Sequence, residues 1–278
     1  MLTRKIPRSG EALPVIGLGT WQTFDVGDMA VERAPLSEVL AAFLAAGGRL
    51  IDSSPMYGRA ESVVGELLAG LGPRAAGAQR PFLATKVWTT GRQRGEEQMR
   101  TSMARLQRQP MDLMQIHNLQ DWRTHLATLR AWKAAGRVRY IGVTHYDLGA
   151  FGELEQIIKT ESVDFVQLPY SIGVRKAEER LLPAAAAHAT AVIVMRPFEG
   201  GTLFHDVRGK PLPGFAAELG CTSWAQIFLK FILGHPAVTC PIPATSNPQH
   251  LADNIQAGQG ALPDEAMRRR IVAAAGAS

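Results

Sequence analysis

Three ionisable side chains, Asp52, Lys86 and His117, each close a short apolar run (Leu50-Ile51-Asp52, Phe82–Lys86 and Gln115-Ile116-His117). Tyr57 follows Asp52 within Ser53-Ser54-Pro55-Met56-Tyr57-Gly58. A lysine at the end of a buried strand is costly without a counter-charge, and Asp52 is the nearest carboxylate in such an arrangement, so a Lys86–Asp52 pair is expected. Held near Tyr57, the Lys86 ammonium would stabilise phenolate and lower the phenol from its ordinary value of about 10, easing proton donation at neutral pH. His117 would orient a substrate oxygen or relay the proton. This set suits reduction of a carbonyl, with hydride arriving from a cofactor while an acid protonates the developing alkoxide. Each residue also has a plain structural reading: an Asp–Lys pair can simply support a fold, and a tyrosine in a Pro/Gly-rich loop can simply pack. A metal hydrolase would draw on His117 and His145, but Ile16-Gly17-Leu18-Gly19 carries no His-x-His pair and too few ligands converge, so no metal is expected. A Schiff base on Lys86, as in an aldolase, is left open by the spacing.

The elements that would bring these residues together are eight candidate strands at Val15–Gly17, Leu50–Asp52, Phe82–Lys86, Asp112–Ile116, Val138–Val143, Phe165–Leu168, Ala191–Met195 and Thr239–Ile242. Between them lie stretches with helical spacing, such as Leu36, Val39, Leu40, Phe43 and Leu44, or Leu126, Leu129 and Trp132. The strand ends Asp52, Lys86, His117, Thr144, Gln167 and Met195 follow one another at 23 to 34 residues, the length of a β–α unit. Eight such units predict an α/β protein, a (β/α)8 TIM barrel formed as a single domain over residues 1–278, whose active site would lie at the strand C-termini. A doubly wound open sheet is the alternative, but Gly17-Leu18-Gly19-Thr20-Trp21 supplies only half of a dinucleotide-binding Gly-x-Gly-x-x-Gly. Thr3–Pro7 and Leu13–Val15, flanking Arg8-Ser9-Gly10-Glu11, predict a short N-terminal β-hairpin able to plug the barrel bottom.

Composition narrows the function classes. Of 278 residues, 46% are hydrophobic and 20% charged, too apolar for disorder and enough for a large core. The net charge of +5 comes from scattered basic residues, the longest run being Arg268-Arg269-Arg270, so no nucleic-acid partner is expected. Cys221 and Cys240 have no Cys-x-x-Cys spacing and read as buried small apolar residues. No apolar run reaches the ~18 residues of a membrane span, and Met1–Pro7 is not followed by a signal-peptide core. A cytoplasmic protein without a membrane partner is expected, although a removed leader would leave no trace.

The chain resembles the aldo-keto reductase family from end to end. The likeness is carried by Ile16-Gly17-Leu18-Gly19-Thr20-Trp21, the Asp52, Tyr57-Gly58 and Glu61 block, Thr85-Lys86, Leu113-Met114-Gln115-Ile116-His117, and Gly136-Arg137-Val138-Arg139-Tyr140-Ile141-Gly142-Val143. The resemblance implies a (β/α)8 barrel that reduces aldehydes and ketones with NADPH, or NADH. It further implies Tyr57 as general acid, Lys86 tuning it, Asp52 pairing with Lys86, and His117 positioning the carbonyl of a small-molecule substrate. Cofactor contacts carry over to Gly19, Thr20, Trp21, Asp52 and Gln167, and to Thr144-His145 where the family has a Ser-Asn pair. They extend to Met195 in place of a stacking aromatic, to Arg196, Pro197, Gly201 and Leu203, and to Thr245, Ser246, His250, Asp253 and Asn254. Ala244 and His250 replace two cations that in many relatives clamp the 2′-phosphate. Trp21, Trp88 and Phe198, beside Tyr57 and His117, would form the substrate wall. The segment after the eighth strand is short, ending in Leu262–Ser278, which implies an open mouth. A monomer or weak homo-oligomer is expected. A dinucleotide-binding regulatory subunit with little turnover is the alternative function.

Overall fold

The computed structural model describes residues 1–75 and 80–276. An antiparallel hairpin, β1 (Thr3–Lys5) and β2 (Ala12–Pro14), precedes a sheet of eight parallel strands. These are β3 (Leu18–Gly19), β4 (Leu50–Asp52), β5 (Phe82–Val87), β6 (Met111–His117), β7 (Val138–Thr144), β8 (Phe165–Pro169), β9 (Ala191–Met195) and β10 (Val238–Pro241). They pair strictly with their sequence neighbours. Around them run α1 (Ala30–Ala45), α2 (Ala60–Ala75), α3 (Arg92–Arg105), α4 (Trp122–Ala134), α5 (Phe151–Glu161), α6 (Leu181–Ala187), the short α7 (Thr202–Asp206), α8 (Trp224–Leu233), α9 (Pro248–Gln256) and α10 (Glu265–Ala275). The result is a (β/α)8 barrel.

Closure joins β10 to the segment leading into β3. Gly17 N–H donates to Pro241 O at 2.9 Å and Gly19 N–H to Pro243 O at 3.1 Å, beside a parallel bridge between Gly19 and Ala244. A Cβ on Gly19 would stand 2.8 Å from Ile242 O, so only glycine lets the two edges meet. This corrects the first strand: the ladder is Leu18–Gly19, not Val15–Gly17, because Val15 and Ile16 pack with Leu229, Leu233 and Ala257.

Strand alternation sorts the side chains into two environments. Inward, Leu50, Phe82, Leu113, Tyr140, Phe165 and Ala191 form an apolar floor in which Phe82, Tyr140 and Phe165 lie with ring centroids 5.6 to 6.0 Å apart. Outward, Ile51, Leu83, Met114, Ile116, Val143 and Val166 pack on the helices. The helical stripes act as their spacing predicts: Leu36, Val39, Leu40, Phe43 and Leu44 are the buried residues of α1, and Leu126, Leu129 and Trp132 are buried on α4.

The hairpin plugs the floor. Ile6 and Leu13 are fully buried against the floor residues, and Tyr140 donates to Glu11 Oε2 at 2.7 Å. Arg139 pairs with the same carboxylate oxygen at 2.5 Å and with Asp112 Oδ1 at 2.9 Å. At the other end of the chain α10 docks outside the barrel: Arg268 donates to Phe231 O at 3.3 Å and pairs with Glu178 and with Glu265, the latter at 2.7 Å. No residue of Leu262–Gly276 lines the cavity at the strand C-termini, and Ala277 and Ser278 lie outside the described residues. Cys221 and Cys240 are both buried and unbridged. Among the described residues, no helix is long and apolar enough to cross a membrane.

Because the plug is held in a close-packed floor that cannot collapse around a void, Leu13→Ala is expected to lose about 2–5 kcal/mol of stability, read as a lower urea midpoint with unchanged slope.

Candidate active site

Above the apolar floor the inward positions turn polar. Moving two residues along each strand leads from Leu50 to Asp52, from Ala84 to Lys86, from Leu113 to Gln115 and then His117, and from Phe165 to Gln167. Asp52, Lys86, Gln115 and Gln167 are buried, Lys86 completely. Lys86 Nζ donates to Asp52 Oδ2 at 2.6 Å and to Ser53 O at 2.7 Å. The other carboxylate oxygen, Asp52 Oδ1, accepts from Gln115 Nε2 at 3.2 Å and Gln167 Nε2 at 3.0 Å. Thr144 Oγ1 donates to Gln167 Oε1 at 3.2 Å, extending the chain of polar groups onto β7.

Tyr57 is delivered by the turn between β4 and α2. Its N–H donates to Ser54 O at 3.0 Å, its own carbonyl accepts from Ala60 N–H at 3.1 Å, and Asp25 Oδ1 accepts from Arg59 N–H at 2.9 Å. Gly58 between them has φ +57°, and a Cβ there would run into the Asp25 carboxylate. The phenol ring lies 5.0 Å from Lys86 Nζ, centroid to nitrogen, and meets the His117 ring edge-on with centroids 5.9 Å apart. Ser54 Oγ lies 3.0 Å from His117 Nδ1.

The electrostatics follow from burial. Lys86 is charged: burial alone would push its ammonium down, but Asp52 and Tyr57 together hold it above its ordinary value. Tyr57 departs from the expectation that Lys86 lowers it. Burial is the largest influence and raises the phenol, the Lys86 ammonium pulls it down, Asp52 pushes it up, and the balance stays above the ordinary value. Tyr57 is therefore protonated throughout the neutral range. His117 is neutral, its pKa lowered to about 2 by burial and by the positive charge of Lys86, with His145 adding to the effect.

These groups line the inner end of a cavity of about 880 Å³. Of the residues singled out in the sequence, the wall contains Gly19, Thr20, Trp21, Asp52, Tyr57, His117, Gln167, Met195, Arg196, Pro197, Phe198, Gly201, Thr245, His250, Asp253 and Asn254. Lys86 lies behind the wall and reaches it through Asp52 and Tyr57. Five others do not line the cavity. Thr144 is buried with its hydroxyl on Gln167, and His145 stacks on Tyr146 with its Nδ1 accepting Asp147 N–H at 3.0 Å. Leu203 packs into the outer core, Ser246 is exposed, and the backbone of Trp88 is tied to Gln98 on α3 at 2.6 and 3.1 Å.

Several wall residues had no motif to announce them: Met56, Asn118, Tyr146, Phe204, Ser223 and Trp224. Ser54 and Gln115 lie within quoted motifs but had no role assigned; Gln115 stands two residues before His117 on one strand, and period-two alternation is the signal that finds it. Ser223 caps α8, a helix start rather than a strand end, and its hydroxyl donates to Asp253 Oδ2 at 2.7 Å. Among the described residues no group of three or more His, Cys, Asp or Glu side chains is placed to hold a metal ion.

A protonated phenol, a neutral histidine and a buried cation thus meet at the inner end of a largely apolar cavity, an arrangement able to polarise a carbonyl. Residues 15–272 match the model of the aldo/keto reductase family. The chain belongs to that family. It is 29% identical over 262 residues to methylglyoxal reductase YeaE of Escherichia coli K12, covering 91% of this chain and 89% of that one. Morphine 6-dehydrogenase of Pseudomonas putida is 28% identical over 280 residues, covering 93% and 87%. Among solved structures, an aldo/keto reductase of Klebsiella pneumoniae in complex with NADP and acetate superposes with a TM-score of 0.77 at 26% identity, covering 95% of this chain and 93% of that one. An aldo-keto reductase of the same organism in complex with NADPH superposes with a TM-score of 0.78 at 26% identity, covering 98% and 96%. As a member of the family the chain is an oxidoreductase.

Because burial and Lys86 keep His117 uncharged, its imidazole C–H resonances are expected to stay unshifted from about pH 5 to about pH 8, where an ordinary histidine titrates. NMR of the wild type, assigned against His117→Gln, checks this.

Proposed function

We propose that this aldo-keto reductase reduces small aldehydes or ketones to alcohols with NADPH, and with NADH as a second donor, using Tyr57 as the proton donor. The observation that carries the reading is the convergence of Tyr57 and His117 over the buried Lys86–Asp52 pair at the closed end of the cavity. Relatives solved with NADP and NADPH, and one named for methylglyoxal reduction, support the cofactor and substrate class.

The chain's residues fit a dinucleotide. Gln167 Oε1 keeps a lone pair beyond the one used by Thr144 and can accept from a carboxamide; Met195 offers a polarizable face to a ring. Arg196 and the open backbone of Gly200 and Gly201 suit a pyrophosphate, and the wall at α8 and α9 would receive the adenosine. When bound, the reduced nicotinamide supplies hydride to the carbonyl carbon. Tyr57 then gives its proton to the carbonyl oxygen as the C=O electron pair moves onto it. Lys86, fixed by Asp52 and Ser53 O, stabilises the phenolate left behind until solvent returns the proton. His117, uncharged, positions the carbonyl without competing for the proton. Trp21, Met56, Tyr146 and Phe198 give an apolar wall for the substrate's remainder. The Schiff-base reading is disfavoured, since Lys86 is held as an ammonium and does not line the cavity.

A regulatory subunit that binds dinucleotide without turnover is favoured by one observation, the displacement of Thr144 and His145 from the cavity wall. The two readings separate in one assay. Loss of reduced-nicotinamide absorbance is followed with methylglyoxal and with a reactive aromatic aldehyde, and dinucleotide binding by quenching of tryptophan fluorescence. Tyr57→Phe is expected to lose about 10²- to 10⁴-fold in kcat and still bind dinucleotide. Dinucleotide binding by wild type with no turnover of either carbonyl would favour the regulatory reading.

Cofactor preference has its own expected outcome. Ser223, Trp224, Ala225, Ala244, Thr245, His250, Asp253 and Asn254 line the adenosine end without a lysine or arginine. Lacking a charge-assisted clamp for a 2′-phosphate, the protein is expected to show kcat/KM values for NADPH and NADH within about tenfold of each other.

A further inference from the structure

Ser54 has no part in the chemistry assigned above, yet it is fully buried beside the one histidine in the cavity wall that faces Tyr57. Its hydroxyl oxygen has two neighbours. Met56 N–H donates to it at 3.3 Å, and His117 Nδ1 lies 3.0 Å away. A hydroxyl carries one hydrogen and accepts through its lone pairs. Met56 N–H can only donate, so the hydrogen of Ser54 has a single acceptor among these neighbours, His117 Nδ1. A neutral imidazole that accepts at Nδ1 must carry its proton on Nε2.

We propose that Ser54 is a positioning residue that sets the tautomer of His117, so that Nε2 presents an N–H to the substrate carbonyl oxygen. This rests on the reductase reading of the site. The sign of the interaction depends on it. With the proton on Nε2 the ring donates to the oxygen as it gains charge, alongside Tyr57; with the proton on Nδ1 the same ring turns a lone pair toward that oxygen and repels it. The neutrality of His117 is what makes the choice matter, because an imidazolium would donate from both nitrogens whatever Ser54 did.

The test reads the tautomer directly. In ¹H–¹⁵N correlation spectra of His117, assigned against His117→Gln, wild type is expected to show the Nε2–H pattern, with Nδ1 at the shift of an unprotonated, hydrogen-bonded nitrogen. Ser54→Ala is expected to show a mixture of both tautomers and a kcat for aldehyde reduction about tenfold lower. Its affinity for dinucleotide should be unchanged and its far-ultraviolet circular dichroism native. Ser54→Thr, which keeps the hydroxyl, is expected to restore both the spectrum and kcat, an outcome that mere repacking would not produce. An Nδ1–H pattern in wild type, or a Ser54→Ala protein with an unaltered tautomer, overturns the proposal. The spectrum needs no turnover, so failure of the reductase reading would appear separately, as absent aldehyde reduction in wild type.

Discussion

The Lys86–Asp52 pair is the interaction on which the upper half of the barrel depends. Both ions are taken out of water, which costs several kcal/mol each, and Coulomb attraction recovers that only when the remaining hydrogen-bonding capacity is also met. Much of it is: Ser53 O takes a second ammonium hydrogen, and the amides of Gln115 and Gln167 occupy the second carboxylate oxygen. Four strands, β4, β5, β6 and β8, thus contribute to one polar cluster. Its geometry has little room to relax toward solvent, because its members are all but completely buried. A surface pair would be screened and mobile, whereas this one presents a fixed positive charge beneath Tyr57.

That charge is useful only because the layers beneath and around it are apolar. The floor of Phe82, Tyr140 and Phe165, sealed from below by Ile6 and Leu13, keeps the lower barrel dry and rigid. The same dryness works in opposite senses on the neighbours of the pair. It holds Tyr57 in its protonated form and drives the proton off His117, so two titratable groups in contact take complementary states. A protonated phenol and a neutral imidazole are the states on which the proposed carbonyl reduction draws. The environment, more than the residue types, sets those states.

Much of this was legible in the chain. Asp52, Lys86 and His117 end apolar runs, and in a parallel barrel such ends face one mouth, so their convergence follows from spacing alone. The stripes on α1 and α4 were equally readable, because a helix that buries one face must repeat its apolar residues at three and four. The limits of β3 were not: Val15 and Ile16 are as β-prone as any strand, but closure demands glycine at the point of nearest approach and places the ladder at Leu18–Gly19. Thr144 and His145, read as cofactor contacts from the resemblance to a Ser-Asn pair, show that a strand end predicts proximity to the mouth but not which way a side chain turns. Thr144 found a buried amide, and His145 found Asp147 and Tyr146.

The sequence by itself determined the architecture and the chemistry available to it, because the periodicity of apolar residues is a local property that the chain carries into any fold it adopts. It also placed Tyr57 near Lys86, since Tyr57 follows the end of β4 and Lys86 closes the adjacent β5. Only the tertiary structure decided the direction in which the Tyr57 phenol shifts, the neutrality of His117, and the bridging of Asp52 by glutamines 63 and 115 residues away in the chain. Each of those depends on how much water is excluded and on which distant groups share a few ångströms of space. Burial is a property of the whole assembled barrel, and no run of residues encodes it alone.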